Sequence, residues 1–195
     1  MNNEKTAVIV AVCAALDADD NAGAVLAARH YPFTLQTNAG RGYSTLTATQ
    51  IFLRDGFVDR YSGVDLINPG VLRILSKALP GEFPFQKNWK MSETHPAYWE
   101  LFPTIDHVNP VARGGADVES NLMTTSMLRN SAKANWTLEE LKWVLQPAGE
   151  LSRWDGLTGW MIRHVERRGT SLFEPYVVKW YRSARQALAA GGSIK

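Results

Sequence analysis

Residues 104–136, TIDHVNPVARGGADVESNLMTTSMLRNSAKANW, decide how the rest of this chain is read. Thr104 and Ile105 favour extended backbone, and Asp106 and His107 follow side by side. Adjacent strand residues point to opposite faces, so this acid and imidazole serve one site only if the strand ends or bends there. Pro110 and the Arg113-Gly114-Gly115 turn supply that ending. A second short apolar run, Asn121-Leu122-Met123, leads into Thr125 and Ser126, either of which can cap a helix running through Ala134. The pattern predicts strand, irregular loop, strand, helix.

This constellation resembles the HNH endonucleases, whose core is a ββα-metal finger. The resemblance rests on Asp106-His107 for the first strand, Arg113-Gly114-Gly115 for the loop, Asn121-Leu122 for the second strand, and residues 130–135 for the helix. It is firmest from Thr104 to Asn135 and extends more loosely back to about Thr47. The fold class expected is α+β and mostly helical, a small ββα-metal finger packed among α-helices. Three parts are expected: a helical segment at 1–46, the nuclease domain at 47–146 with its core at 104–136, and a basic helical extension at 147–195.

Hydrolysis of a phosphodiester needs an activated water on one side of phosphorus and stabilisation of the leaving oxyanion on the other. An imidazole is mostly neutral at pH 7, so His107 can accept the water's proton as general base. Asp106 and the amide oxygen of Asn130 are hard oxygen ligands that suit Mg²⁺, with Mn²⁺ as a substitute. One carboxylate and one amide make an incomplete cage, so phosphate oxygens and waters are expected to complete it, with weak metal binding until nucleic acid is present. The resemblance makes Asn121 the residue that ties the loop and holds the His107 backbone. It also implies DNA, most simply duplex DNA, as the substrate and 5′-phosphate and 3′-hydroxyl ends as the products. RNA is the alternative substrate, and a finger that binds nucleic acid without cleaving it is the alternative function.

Each residue has a structural reading too. His107, between Ile105-Asp106 and Val108, could be a satisfied core histidine, Asp106 and Asn121 could cap turns, and Arg113 could be a solvated loop residue. Lys133 either touches phosphate or lies on a solvated helix face. Taken together at this spacing, the residues favour the site.

The remainder of the 195 residues, 45% hydrophobic with seven Trp, is sufficient for a sizeable core, and 21% charge does not suggest disorder. The apolar run Thr6 to Leu16 is too short to span a bilayer and lacks a basic leader, so a buried helix and a cytoplasmic, non-membrane protein are expected. Its Cys13, the single cysteine, is expected to pack there. Helices are predicted over residues 21–30 and 45–55, from Asn68-Pro69 to Pro80, from Thr137 to Pro147, and over 153–168 and 171–190; residues 57–66 read as a small hairpin. The aromatic segment 82–99 reads as packed scaffold rather than a base-stacking surface, with His95 a lesser candidate for the site.

Many HNH relatives carry two Cys-x-x-Cys pairs that bind a structural zinc. The corresponding positions here are Asp59 and Ser62, then Ser126 and Arg129, so no structural zinc is expected and an Asp59–Arg129 ion pair is the expected replacement. Residues 150–195 hold eight Lys and Arg against four Asp and Glu, whereas residues 1–149 hold 13 against 15. The basic excess, notably Arg163, Arg167 and Arg168, suggests contact with a phosphate backbone.

Overall fold

The computed structural model describes residues 3–32 and 42–191 and divides into two compact units, residues 1–40 and 41–195. In the first, α1 (Asn3–Asp17) and α2 (Asn21–Ala28) pack as a helical hairpin, with the Asp20 carboxylate accepting from the Gly23 amide at 2.8 Å to cap α2. The burial expected for α1 is not found: Val10 is 62% exposed and Cys13 is exposed. Within this unit the helix is apolar on every side, and the eight-residue α2 covers one stripe of it. The sequence of residues 34–44, with Gly40 and Gly42, reads as a loop, and this stretch lies outside the described residues as far as Arg41. No helix among the described residues is long and apolar enough to cross a membrane.

In the second unit, α3 (Thr45–Arg54) begins at Ser44, whose hydroxyl accepts from the Thr47 amide. The boundary expected between residues 46 and 47 falls inside this helix. α4 (Pro69–Ala78) opens on an Asn68 cap to the Gly70 amide and a proline in its first turn. A short α5 (Ala97–Glu100) leads into an antiparallel ribbon of β1 (Pro103–His107) and β2 (Leu122–Ser126), followed by α6 (Met127–Lys133). α7 (Leu138–Leu141), α8 (Thr158–Arg168) and α9 (Pro175–Gly191) complete the chain. The fold class is the expected one, α+β and mostly helical.

Three helices are shorter than their sequence patterns. α7 keeps its Thr137–Glu140 capping box but stops at Lys142, because the following segment runs beside an earlier turn: the Gln146 amide donates to Arg60 O at 2.7 Å and the Gly149 amide to Asp55 O at 3.0 Å. α8 starts five residues later than predicted, after Gly156 and Leu157 adopt positive φ. α9 starts at Pro175, where a fixed φ and a missing amide suit a first turn. The 57–66 hairpin is reduced to one bridge, Val58 opposite Asp65.

The main core joins α3, α4, α8 and α9 through Phe52, Val71, Met161, Val165, Val177 and Trp180. At about 1.5–3 kcal/mol for each fully buried large apolar side chain, this core outweighs anything a two-stranded ribbon can contribute alone. The helices expected as a C-terminal extension therefore share a core with the segment that precedes the ribbon. Tyr98, Leu72 and Ala97 form a second core with Phe83, Phe85 and Trp89, so the aromatic segment is scaffold. His95 belongs to that scaffold, stacked on Phe83 at 4.0 Å with Nδ1 accepting from the Ala97 amide, and does not reach the residues of the ribbon.

Candidate functional site

Pairing runs from Pro103 opposite Ser126 to His107 opposite Leu122, and the Val108 amide extends it by donating to Asn121 O at 2.9 Å. β1 ends at His107, with bends at Val108 and Asn109, so Asp106 and His107 are its last two residues, as expected. The turn comes later, at Pro110 and Gly114, the latter at φ +86°. Gly115 is required by crowding: a Cβ there would sit 1.9 Å from Asn109 O. Asn121 closes this loop with three bonds. Its Oδ1 accepts from the Asn109 amide at 2.9 Å, and its Nδ2 donates to Asn109 O at 2.9 Å and to Ala116 O at 2.8 Å.

A two-stranded ribbon has two outer edges whose backbone groups need partners. α6 serves the β1 edge. Asn130 Nδ2 donates to Ile105 O at 3.2 Å and to Thr104 Oγ1 at 3.0 Å, and one turn on, Lys133 Nζ donates to His107 O at 2.7 Å. Residues three apart on a helix share a face, which lets both side chains reach the same strand. Ser126 sets the phase of α6 by accepting from the Arg129 amide.

Lys133 is fully buried and its ammonium lies 2.9 Å from Asp106 Oδ2. This overturns both sequence readings of Lys133, as a phosphate contact and as a solvated residue: the side chain turns inward to an acceptor carbonyl and a carboxylate that would otherwise lack a cation. The Tyr61 hydroxyl donates to the same Asp106 oxygen at 2.8 Å. Burial first, and then the charge of Asp106, hold the Tyr61 phenol well above its ordinary pKa, which keeps it a donor. Asp106 Oδ1 takes no hydrogen bond among the described residues. The Asn130 amide nitrogen is turned to the strand edge, so its oxygen faces away from it. Asp106 Oδ1 and Asn130 Oδ1 are thus left without a hydrogen bond among the described residues, and both are hard oxygens of the type that suits a divalent cation. Among the described residues no three His, Cys, Asp or Glu gather, so the rest of such a cation's coordination would come from water and substrate.

At the end of the strand, His107 Nε2 lies 2.8 Å from Asp117 Oδ1 and 3.3 Å from the Tyr43 hydroxyl, which itself donates to Asp117 at 2.7 Å. With the proton on Nε2 shared with Asp117, Nδ1 carries the lone pair. The sequence reading missed both partners. Asp117 was visible as an acid inside the loop that Asn121 closes, whereas Tyr43 has no local signal, being 64 residues from His107.

The remaining predicted residues are spread more widely. Arg113 is exposed, 3.6 Å from Glu140 Oε1 and 5.8 Å over the Trp136 ring. Arg163, Arg167 and Arg168 are exposed on α8 and line depressions walled by α4, α8 and α9 rather than by the ribbon.

The Asp59–Arg129 pair does not form. Asp59, 1% exposed, accepts from the Tyr61 amide at 2.9 Å, Thr125 Oγ1 at 3.0 Å and the Ser126 amide at 3.0 Å. The Arg129 guanidinium lies over the Trp143 ring at 5.2 Å instead. Positions 59 and 126 are neighbours, as the alignment required, but backbone and hydroxyl donors satisfy the carboxylate with no cation. Compared with known protein families, curated proteins and solved structures, the chain matches none.

Proposed function

We propose that the chain is a metal-dependent endonuclease of the HNH type that hydrolyses DNA phosphodiesters at the His107 end of the ribbon. The observation that carries this reading is the convergence of α6 on β1. One helix face supplies both the Asn130 amide, with its oxygen uncommitted, and the Lys133 ammonium that fixes Asp106 through Oδ2 and leaves Oδ1 open. Asp106 and Asn130 would hold the ion, most simply Mg²⁺. When bound, a divalent ion supplies Lewis-acid stabilisation of the charge that grows on the phosphate and the leaving oxygen.

The chain's own residues account for the proton. Asp117 holds the Nε2 hydrogen of His107, so Nδ1 accepts a proton from the attacking water. The water oxygen bonds to phosphorus, the P–O3′ bond breaks with its electron pair on O3′, O3′ takes a proton from solvent, and a 5′-phosphate and a 3′-hydroxyl result. Asn121 keeps the His107 backbone in register by closing the loop that follows it. Lys133 offsets the Asp106 charge, so ion binding is weak until substrate phosphate joins.

The test is cleavage of linear duplex DNA, single strands and RNA with Mg²⁺ or Mn²⁺, run beside His107→Ala. The variant is expected to fold, to bind nucleic acid and to cleave about 10²–10⁴-fold more slowly. Equal rates for wild type and variant, or no cleavage of any substrate, would overturn the reading.

A further inference from the structure

Three depressions of about 390, 450 and 540 Å³ lie along α8, the 3-10 turn Thr170–Leu172 and α9. His164 lines the first and second and Phe173 the second and third, so neighbouring depressions share a ring as a common wall and the three form an interrupted furrow. Rings form the ridges between them: Trp160 stacks on His164 at 4.7 Å and 19°, and His164 meets Phe173 at 5.7 Å and 67°. Burial first, and then Arg168 and Arg167, hold the His164 imidazole below its ordinary pKa, so at neutral pH this ring is a flat uncharged surface.

Cations accompany the rings at each step: Arg163 and Arg167 at the first depression, Arg168 at the second, Lys179 and Arg182 at the third. Lys77 and Glu174 also line the second depression, where Glu174 is shared between Arg73 and Lys77, and Arg185 on the same framework pairs with Glu166. The five furrow cations make no ion pair among the described residues, and all are exposed. Five uncompensated charges in a row mark a surface that recruits a polyanion.

The shape narrows the choice of polyanion. A duplex presents phosphates outward and keeps its base faces stacked inside, so it has nothing to place in a concave, ring-lined furrow. A single strand offers a phosphate and an unstacked base at every step, and base-on-aromatic stacking is worth about 1–3 kcal/mol per base. We propose that this furrow binds a single-stranded stretch of nucleic acid, phosphates on Arg163, Arg167, Arg168, Lys179 and Arg182 and bases against the Trp160, His164 and Phe173 rings. The proposal rests on the reading of the chain as acting on nucleic acid, and deepens it: the substrate carries an unpaired segment.

The test is fluorescence anisotropy of the full chain in EDTA, where no cleavage takes place, with a labelled oligothymidylate and a labelled duplex of equal length. Tighter binding of the single strand is expected. Arg163→Gln/Arg167→Gln/Arg168→Gln should weaken it at least about tenfold and flatten its log–log salt slope by about 2, at about 0.7 per lost contact. Lys179→Gln/Arg182→Gln, a separate variant at the far end, should flatten the slope by about 1.4 on the same basis. Tighter binding of the duplex, of anionic vesicles or of an acidic peptide would overturn the proposal, as would unchanged slopes in both variants. Single-strand binding that responds to these variants in a chain that cleaves nothing with Mg²⁺ would leave the furrow standing and remove only the endonuclease.

Discussion

Along the outer edge of β2, the amides of Thr124 and Ser126 are taken by the carboxylates of Asp55 and Asp59, at 2.7 and 3.0 Å. Along the outer edge of β1, the carbonyls of Ile105 and His107 are taken instead by the Asn130 amide and the Lys133 ammonium. A strand edge offers both donors and acceptors, and on the β2 side the carbonyls are closed as well, Leu122 O by the Arg54 guanidinium and Thr124 O by the Arg60 amide at 2.9 Å. The difference lies in what the closing groups have left over. Asp59 already holds three hydrogen bonds, and Asp55 is further held by the guanidiniums of Arg54 and Arg60 at 3.1 and 3.0 Å. Asn130 keeps its oxygen, and Asp106, tied through Oδ2 by Lys133 and Tyr61, keeps Oδ1. One edge is saturated and pins the ribbon to α3; the other is held with donor atoms to spare, which is what a binding site needs.

The largest effect expected separates the edges by stability. Asp59→Ala strands the Tyr61 and Ser126 amides and the Thr125 hydroxyl in a buried place, and lost hydrogen bonds to a charged group cost about 1.5–3 kcal/mol each before relaxation. A total loss of about 4 kcal/mol is expected in urea denaturation, with activity per folded molecule kept. A loss below about 1 kcal/mol would mean that the β2 edge does not pin the ribbon.

Lys133→Met comes next and should act on both properties. It removes the one cation beside Asp106 while keeping most of the buried volume, so a loss of about 3 kcal/mol is expected, the low end for breaking a buried pair because Tyr61 still donates to the carboxylate. With the Asp106 charge no longer offset, the Mg²⁺ concentration for half-maximal cleavage should fall, whereas Asp106→Ala should raise it. A half-maximal concentration that is unchanged in both variants would place the ion elsewhere.

A smaller effect is expected at Tyr61. Tyr61→Phe deletes a single donor to Asp106 and leaves the ammonium in place, so a stability loss of about 1.5–2 kcal/mol is expected from one hydrogen bond to a charged group. The measurement is again urea denaturation. A loss as large as that of Lys133→Met would mean that the phenol, not the ammonium, is what holds Asp106.

What the sequence made legible was local. The β-then-loop-then-β-then-helix order of residues 104–136 follows from a proline, two glycines and a capping serine, each acting within a few residues. The loop closure by Asn121 was expected from the resemblance to the HNH endonucleases, not from these local signals. The inward turn of Lys133 was not legible, because a charged residue on a short helix reads as solvated until the facing strand supplies a carbonyl and a carboxylate. Tyr61 and Tyr43 reach the ribbon from 45 and 64 residues away, beyond any periodicity. The exposure of α1 was misread for the converse reason: an apolar run predicts burial only where a partner covers it, and within its own unit α1 has the short α2 on one stripe.

The smallest effect tests the identity of what ties residue 59 to residue 126. If Asp59 were held by Arg129, deleting either side would leave the other uncompensated, and the two losses would couple by more than 1 kcal/mol. The structure gives them separate partners, with Arg129 against the Trp143 ring at 5.2 Å and Asp59 against backbone and hydroxyl donors. A cation–π contact at a partly exposed site is worth about 0.5–1 kcal/mol, so Arg129→Ala should cost no more than that. Combined with Asp59→Ala in a double-mutant cycle, the losses should add to within about 0.5 kcal/mol. Coupling above that value would mean that Arg129 swings back onto Asp59 in solution, and would make the β2 edge an ion pair like its neighbour across the ribbon.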